Sequence, residues 1–323
     1  MRRFSQLVAT VSLGALVAVS VGCPSSSETG GGSAAAPDYD AMPLGLDKFA
    51  RKGLTKNPIT HEKVVLGKHL YFDKRLSADN TISCATCHDP AKGWTDQAAV
   101  STGIKGQKGG RSAPTVINRV FSGRQFWDGR EPDLEGQAKG PLTNPIEMGM
   151  KDHAAVVAKL EGIAGYKPLF KAAFGDEKID IDRVAQAIAT FERTIVSGNS
   201  PYDKAVNGDA SAMSAAATKG KELFFGKAKC TKCHIGANFT DELYHNLGVG
   251  ADTGLEQFTK DAKDRGKFKT PTLRQITESG PYMHDGSEKT LLDVVKFYNK
   301  GGNKNPNLDK EMVALNLTDE EMG

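Results

Sequence analysis

The stretch CATCH at residues 84–88 recurs as CTKCH at residues 230–234. Two cysteines separated by two residues and followed at once by histidine form the attachment site of a c-type heme. Both thiols join the vinyl groups of the porphyrin, and the adjacent imidazole turns in to the iron. One such motif is moderately specific, but two of them account for every cysteine of the chain except Cys23. A zinc site made from two C-x-x-C pairs would use four thiolates and would need no histidine after each pair. Disulfides are open to an exported chain, yet a bridge across two intervening residues suits a redox enzyme better. The motifs therefore read as two covalent hemes, one held by Cys84, Cys87 and His88, the other by Cys230, Cys233 and His234.

The motifs start 146 residues apart in a chain of 323, room for one heme domain each. The pattern around them is helical. Val64, Val65, Leu66 and Leu70 recur at helical spacing over 61–70, and Val184, Ala187, Ile188, Phe191 and Ile195 share one face behind a cap at Asp180 or Asp182. Lys219 to Phe225 leads into the second motif as a helix, Leu291 to Tyr298 forms a late one, and Thr318 opens a capped turn. Strand-like alternation is nearly absent. The expected class is mainly α.

The N-terminus reads as an export signal over residues 1–22: Arg2 and Arg3 precede an apolar run from Leu7 to Val21 that stops at Gly22. Val-Gly-Cys at its end resembles a lipobox, which would acylate Cys23; Ser20 departs from the usual aliphatic residue, so cleavage without a lipid stays open. Residues 23–43, with PSSSETGGGSAAAP, form a tether too poor in apolar residues to fold. The expected location is the periplasm, with the membrane reached only through a lipid on Cys23. No apolar run in the body nears the ~20 residues of a spanning helix. Net charge is +3, and export would remove Arg2 and Arg3 and leave +1. No basic stripe suits nucleic acid.

From about Leu44 onward the chain resembles the bacterial di-heme cytochrome c peroxidases, a superfamily that includes MauG. The resemblance is carried, in order, by LGKHLYFDKRLSADNTISCATCH, GGRSAPTVINRVFSGRQFWDGR, GPLTNPIEMGM, FFGKAKCTKCHIGANFTDELYHNLGVG and FKTPTLRQITESGPYMHDG. It implies two cytochrome c-like domains, a peroxidatic one over 44–200 and an electron-transfer one over 201–323. It also implies that His88 and His234 are proximal ligands and that Glu147 is the distal acid–base. By the same likeness Gln137 and Pro141 line the distal pocket, and Trp127 lies between the hemes. Trp94, close to the first motif, reads as packing.

Two departures from the peroxidase pattern stand out. In peroxidases of this family a histidine in the loop corresponding to STGIKGQKGGR, residues 101–111, caps the peroxidatic iron until the other heme is reduced. Here that position falls at Ile104 or its neighbours Gly103 and Lys105, none of them a ligand at neutral pH. The resemblance thus implies an open peroxidatic heme. Fourteen residues after His284 the family usually has methionine on the second iron, whereas this chain has Tyr298, as MauG-like enzymes do. A phenolate favours ferric iron. Leu291, Val294 and Tyr298 also share a helical face, so a core role for Tyr298 stays open. A calcium ion usual in the family would fall at Ser112, Ser279 and Pro281, with serine in place of an asparagine ligand.

These features support three functions. The first is reduction of hydrogen peroxide to water with electrons from a small c-type cytochrome or a cupredoxin. The second is MauG-like, peroxide-dependent oxidation of the side chains of a partner protein. The third is electron transfer without catalysis, which Glu147 and the open site argue against. A homodimer is compatible with the sequence.

Overall fold

The computed structural model describes residues 36–46 and 51–323; the expected signal and most of the expected tether lie outside them. The chain is mainly α, with a single two-stranded ribbon among the described residues. In order come α1 (His61–Phe72), α2 (Cys84–Cys87), α3 (Leu134–Thr143), α4 (His153–Glu161), α5 (Tyr166–Phe174), α6 (Ile181–Arg193), α7 (Pro201–Val206) and α8 (Ala215–Phe225). Strand β1 (Tyr244–Asn246), α9 (Glu256–Thr259), β2 (Lys267–Lys269), α10 (Leu291–Asn299) and α11 (Asp319–Met322) follow.

Most helices start where a short oxygen-bearing side chain can take an unpaired N–H; α5, behind Gly165, and α9, behind Leu255, do not. Thr60 accepts from Lys63 N, and Asp180, the nearer of the two expected caps, from Arg183 N. Thr290 and Thr318 each form a capping box. The core of the N-terminal half is the crossing of α1 and α6, closed by α3, α4 and α5. Leu66, Leu70 and Tyr71 meet Val184, Ala187 and Ile188 there, with Leu142, Leu160 and Phe170 around them. Truncating one such leucine costs about 2–5 kcal/mol. Gly67 makes the crossing close: a Cβ there would lie 1.9 Å from Ala187 O. The buried Arg193 at the end of α6 reaches Glu135 on α3 with Nη1 and Oε1 2.6 Å apart, which fixes the helix that leads to Glu147.

The C-terminal half has a leaner protein core, Val249, Phe297 and Met312, with Leu247, Met283, Tyr298 and Leu308 packed on it. Residues 37–323 pack as one unit, so the halves share a seam. Arg111 pairs with Asp128 at 2.7 Å and with Asp252 at 2.6 Å across it. Asp203 of α7 pairs with Arg274 through two hydrogen bonds, both side chains buried. The last part of the expected tether is docked: Tyr39 packs on the α1/α6 core with its hydroxyl 3.1 Å from His61 Nδ1, and Met42 packs beside Leu46. Within the described part of the expected tether, an aromatic ring and a thioether thus find apolar partners.

Candidate active site

At the first motif, Ser83 and Thr86 cap a single helical turn that carries Cys84 and Cys87 on one side. His88 leaves the turn, and its Nδ1 donates to Trp94 O at 3.3 Å. Trp94 stands at φ 62, a conformation that few non-glycine residues adopt, and this bend brings its carbonyl back under the ring. The bond fixes the tautomer and leaves Nε2 free to face a metal. At the second motif the device recurs: His234 Nδ1 donates to Phe239 O at 2.9 Å, and Phe239 stands at φ 51. Burial pushes both imidazoles below their usual range, so both are neutral ligands in waiting.

The donor set fits a covalent heme at both motifs. All four cysteines are free and half-buried, and burial pushes the Cys87 and Cys230 thiols up to about 11. A cleft opens on the second motif, lined among others by Cys230, Cys233, His234, Leu247, Tyr298 and Met312. A cleft of about 370 Å³ lies beside the first motif against Trp94, Ile117 and Phe191 and touches none of residues 84–88. Tyr298 and His234 thus line one cleft. Burial, and then the charges of Cys233 and Cys230, push the Tyr298 phenol well above its usual value; a metal would have to offset this for the phenolate to form.

Glu147 lies in the turn that follows α3. Asn144 organises the turn: its Nδ2 donates to Glu147 Oε1 at 3.0 Å, and its carbonyl accepts from Glu147 N and Gly149 N. Burial pushes the Glu147 carboxyl above its ordinary 4.5, with the Arg130 charge opposing. After the larger effect of burial, the Glu147 charge also contributes to the raised pKa values of Cys84 and Cys87, so the carboxyl lies near the first motif. Gln137 and Pro141 lie one helical turn apart on α3, both half-buried, and Pro141 O accepts from Met148 N at 3.2 Å.

The loop of residues 101–111 packs onto this turn. Ile104 N donates to Glu147 O at 3.0 Å, Gln107 Nε2 donates to Pro145 O at 3.1 Å, and the Ile104 side chain is buried against Gly149. Gly103 fits because it has no Cβ; one would lie 1.8 Å from Ile146 O.

Trp127 is bonded to both halves. Its Nε1 donates to Ser112 O at 3.0 Å, and its carbonyl accepts from Lys269 N at 2.8 Å. Ser112 N in turn donates to His284 O at 2.8 Å, and Ser112 Oγ lies 3.4 Å from Met283 O. Ser279 bonds within its own turn, to Ile276 O, and Pro281 follows Gly280 through a cis peptide. Trp94 packs as expected, against Tyr71 and Phe191.

Several site residues carry no pattern in the sequence: the carbonyl carriers Trp94 and Phe239, the cleft residue Met312, and His245. His245 sits in the second cleft between two carboxylates, Asp309 at 2.6 Å and Asp241 at 2.9 Å. Cys233, Asp241 and His245 approach one another closely enough to hold a metal, but a thioether at Cys233 removes the thiolate such a site would use.

A helical chain with two heme-attachment motifs, a carboxyl near the first and a tryptophan bonded to both halves, this chain belongs to the di-haem cytochrome c peroxidase family, whose profile matches residues 61–211. Members are oxidoreductases, and the family carries two c-type hemes. The chain is 44% identical over 270 residues to methylamine utilization protein MauG of Methylorubrum extorquens, covering 82% of this chain and 76% of that protein. It is 36% identical over 300 residues to cytochrome-c peroxidase IdrP1 of Denitromonas iodatirespirans, covering 82% and 80%. Among solved structures, a MauG-like protein associated with microbial copper homeostasis superposes with a TM-score of 0.79 at 33% identity, over 87% of this chain and 93% of that one.

Proposed function

We propose that this chain reduces hydrogen peroxide to water with electrons from a small c-type cytochrome or a cupredoxin. The observation that carries the proposal is the Glu147 turn, a half-buried carboxyl held by Asn144 and near enough for its charge to act on Cys84 and Cys87. When bound, the hemes supply the iron that cleaves peroxide and a one-electron relay. Two electrons, arriving singly, and two protons turn one peroxide into two waters. Glu147 takes the proton from one peroxide oxygen and returns it to the other, a transfer that needs a carboxylate within hydrogen-bond reach. Gln137 and Pro141 wall the pocket, and the loop that carries Ile104 holds the Glu147 turn in place without offering a ligand of its own. Trp127, bonded to both halves, is the aromatic step between them.

On the same reading residues 44–200 form the peroxidatic domain and residues 201–323 the electron-transfer domain. Tyr298 would join His234 in holding the second iron, and Ser112, Ser279 and Pro281 would hold a calcium ion. The chain resides in the periplasm on a Cys23 lipid, a placement supported by the export-like start and by covalent heme chemistry. Its membrane contact is the lipid alone: among the described residues no helix is long and apolar enough to cross a membrane. The test is steady-state peroxide consumption with a reduced cytochrome c. Sustained donor oxidation is expected, and none by a chain carrying both hemes would overturn the proposal.

A second reading, oxidation of a partner protein's side chains, is favoured by Tyr298 in the second cleft. It predicts slow donor oxidation and an altered spectrum at the second heme in Tyr298→Phe. An unaltered spectrum would move the ligand elsewhere, Met312 being next in the cleft.

A further inference from the structure

In the ribbon, Tyr244 stands directly opposite Lys269, so both side chains leave one face. His245, next along, leaves the other face and lines the second cleft. The Tyr244–Lys269 face looks back at the N-terminal half, since a Cβ on Gly129 would lie 1.7 Å from Tyr244 Oη. Arg119 belongs to the same cluster, because its charge acts on both Tyr244 and Lys269.

The charges here do not balance. Lys269 is 4% exposed, and its one ion-pair partner, Glu242, lies 3.5 Å away. That carboxylate is also claimed by Ser122 Oγ at 2.6 Å and Gly123 N at 3.2 Å. Arg119 donates to Gln125 Oε1 and Arg124 O, both neutral, and makes no ion pair among the described residues. The Tyr244 hydroxyl is buried with no partner at all. Burial, and then Arg119, push the Lys269 ammonium down to about 7. A buried Lys269 and a half-buried Arg119, with a single divided carboxylate at ion-pair distance, beside an unused donor, ask for another anion.

We propose that Arg119, Tyr244 and Lys269 receive a carboxylate side chain of a heme at the seam. The inference rests on the reading that both motifs carry covalent heme. It places the carboxylate beside Trp127, whose carbonyl accepts from Lys269 N, so the residues that hold the anion also adjoin the aromatic step between the halves.

The test uses the full chain with its hemes, counted first per chain by absorbance and mass. Midpoint potentials and the resonance Raman bands of the heme carboxylates are then compared for wild type, Lys269→Met and Tyr244→Phe. Removing the cation should favour the ferric form of one heme tenfold at fixed potential, about 59 mV for a one-electron couple. Tyr244→Phe should move the same heme's carboxylate band. The heme that responds, that of His88 or that of His234, identifies the owner. Two hemes per chain with unchanged potentials and bands in both variants would overturn the inference alone; a chain without covalent heme would overturn the underlying reading with it. If Lys269→Met does not fold, Tyr244→Phe, which removes a single oxygen, decides.

Discussion

Replacing Glu147 with glutamine removes a proton carrier and little else. Glutamine keeps an oxygen for Asn144 Nδ2, and the bond from Ile104 N to residue 147 is made by the main chain. The turn should therefore hold its shape, and the loss should be one of proton transfer. Positioned acid–base groups contribute roughly 10²–10⁴-fold, or about 2.7–5.4 kcal/mol at 1.36 kcal/mol per decade. Glu147 is half-buried, so water can stand in for it in part, and kcat/KM for peroxide should fall by about 10²–10³. The assay is donor oxidation at limiting peroxide, with heme content and visible spectrum as controls. A pH profile adds a second check. Burial raises the Glu147 pKa above 4.5, so its basic form is lost as pH falls through that raised value. The acid limb of the wild-type profile should lie above pH 4.5 and vanish in Glu147→Gln. A loss below tenfold with both hemes in place would show that the proton is handled elsewhere.

Gly103→Ala should displace the Glu147 turn, because its Cβ would meet Ile146 O at 1.8 Å. A misplacement of ~1 Å costs about 10²-fold in rate, and unchanged turnover would refute the packing described. Asp203→Ala strands Arg274 in a site where the two side chains are 2% and 4% exposed. The expected cost is roughly 3–5 kcal/mol, read as a fall in Tm of about 10 °C. In the wild type, burial raises the Asp203 pKa but the bonds from Arg274 and Ser200 prevail and lower it. That stabilisation is present above pH 3.8 and fades as pH falls through the depressed value, so the two melting curves should converge in acid.

Much of this was legible in the sequence because it is local. The heme motifs span five residues each, and the cap at Asp180 precedes a helix whose apolar spacing announces it. The resemblance pointed to Glu147 and Tyr298; Tyr298 lines the second cleft with His234, and the Glu147 charge acts on Cys84 and Cys87. Long-range pairs were not legible: Arg111 meets Asp252 across the seam, and Asp203 meets Arg274 within the C-terminal half, over stretches of chain that carry no shared period. Buried charges such as Lys269 read in sequence as ordinary surface residues, since only the tertiary fold takes the water away. The docking of Tyr39 was likewise hidden by the polar run before it.

The bends at Trp94 and Phe239 have a further consequence. Each supplies a peptide oxygen, which every residue type possesses, so no side-chain replacement there deletes the acceptor. What substitution can disturb is the angle: valine or isoleucine at either position would resist the left-handed turn and swing the oxygen away from the ring. The aim of both iron-facing imidazoles is thus written in dihedral angles rather than in side-chain chemistry, and two unlike aromatic residues serve it equally well.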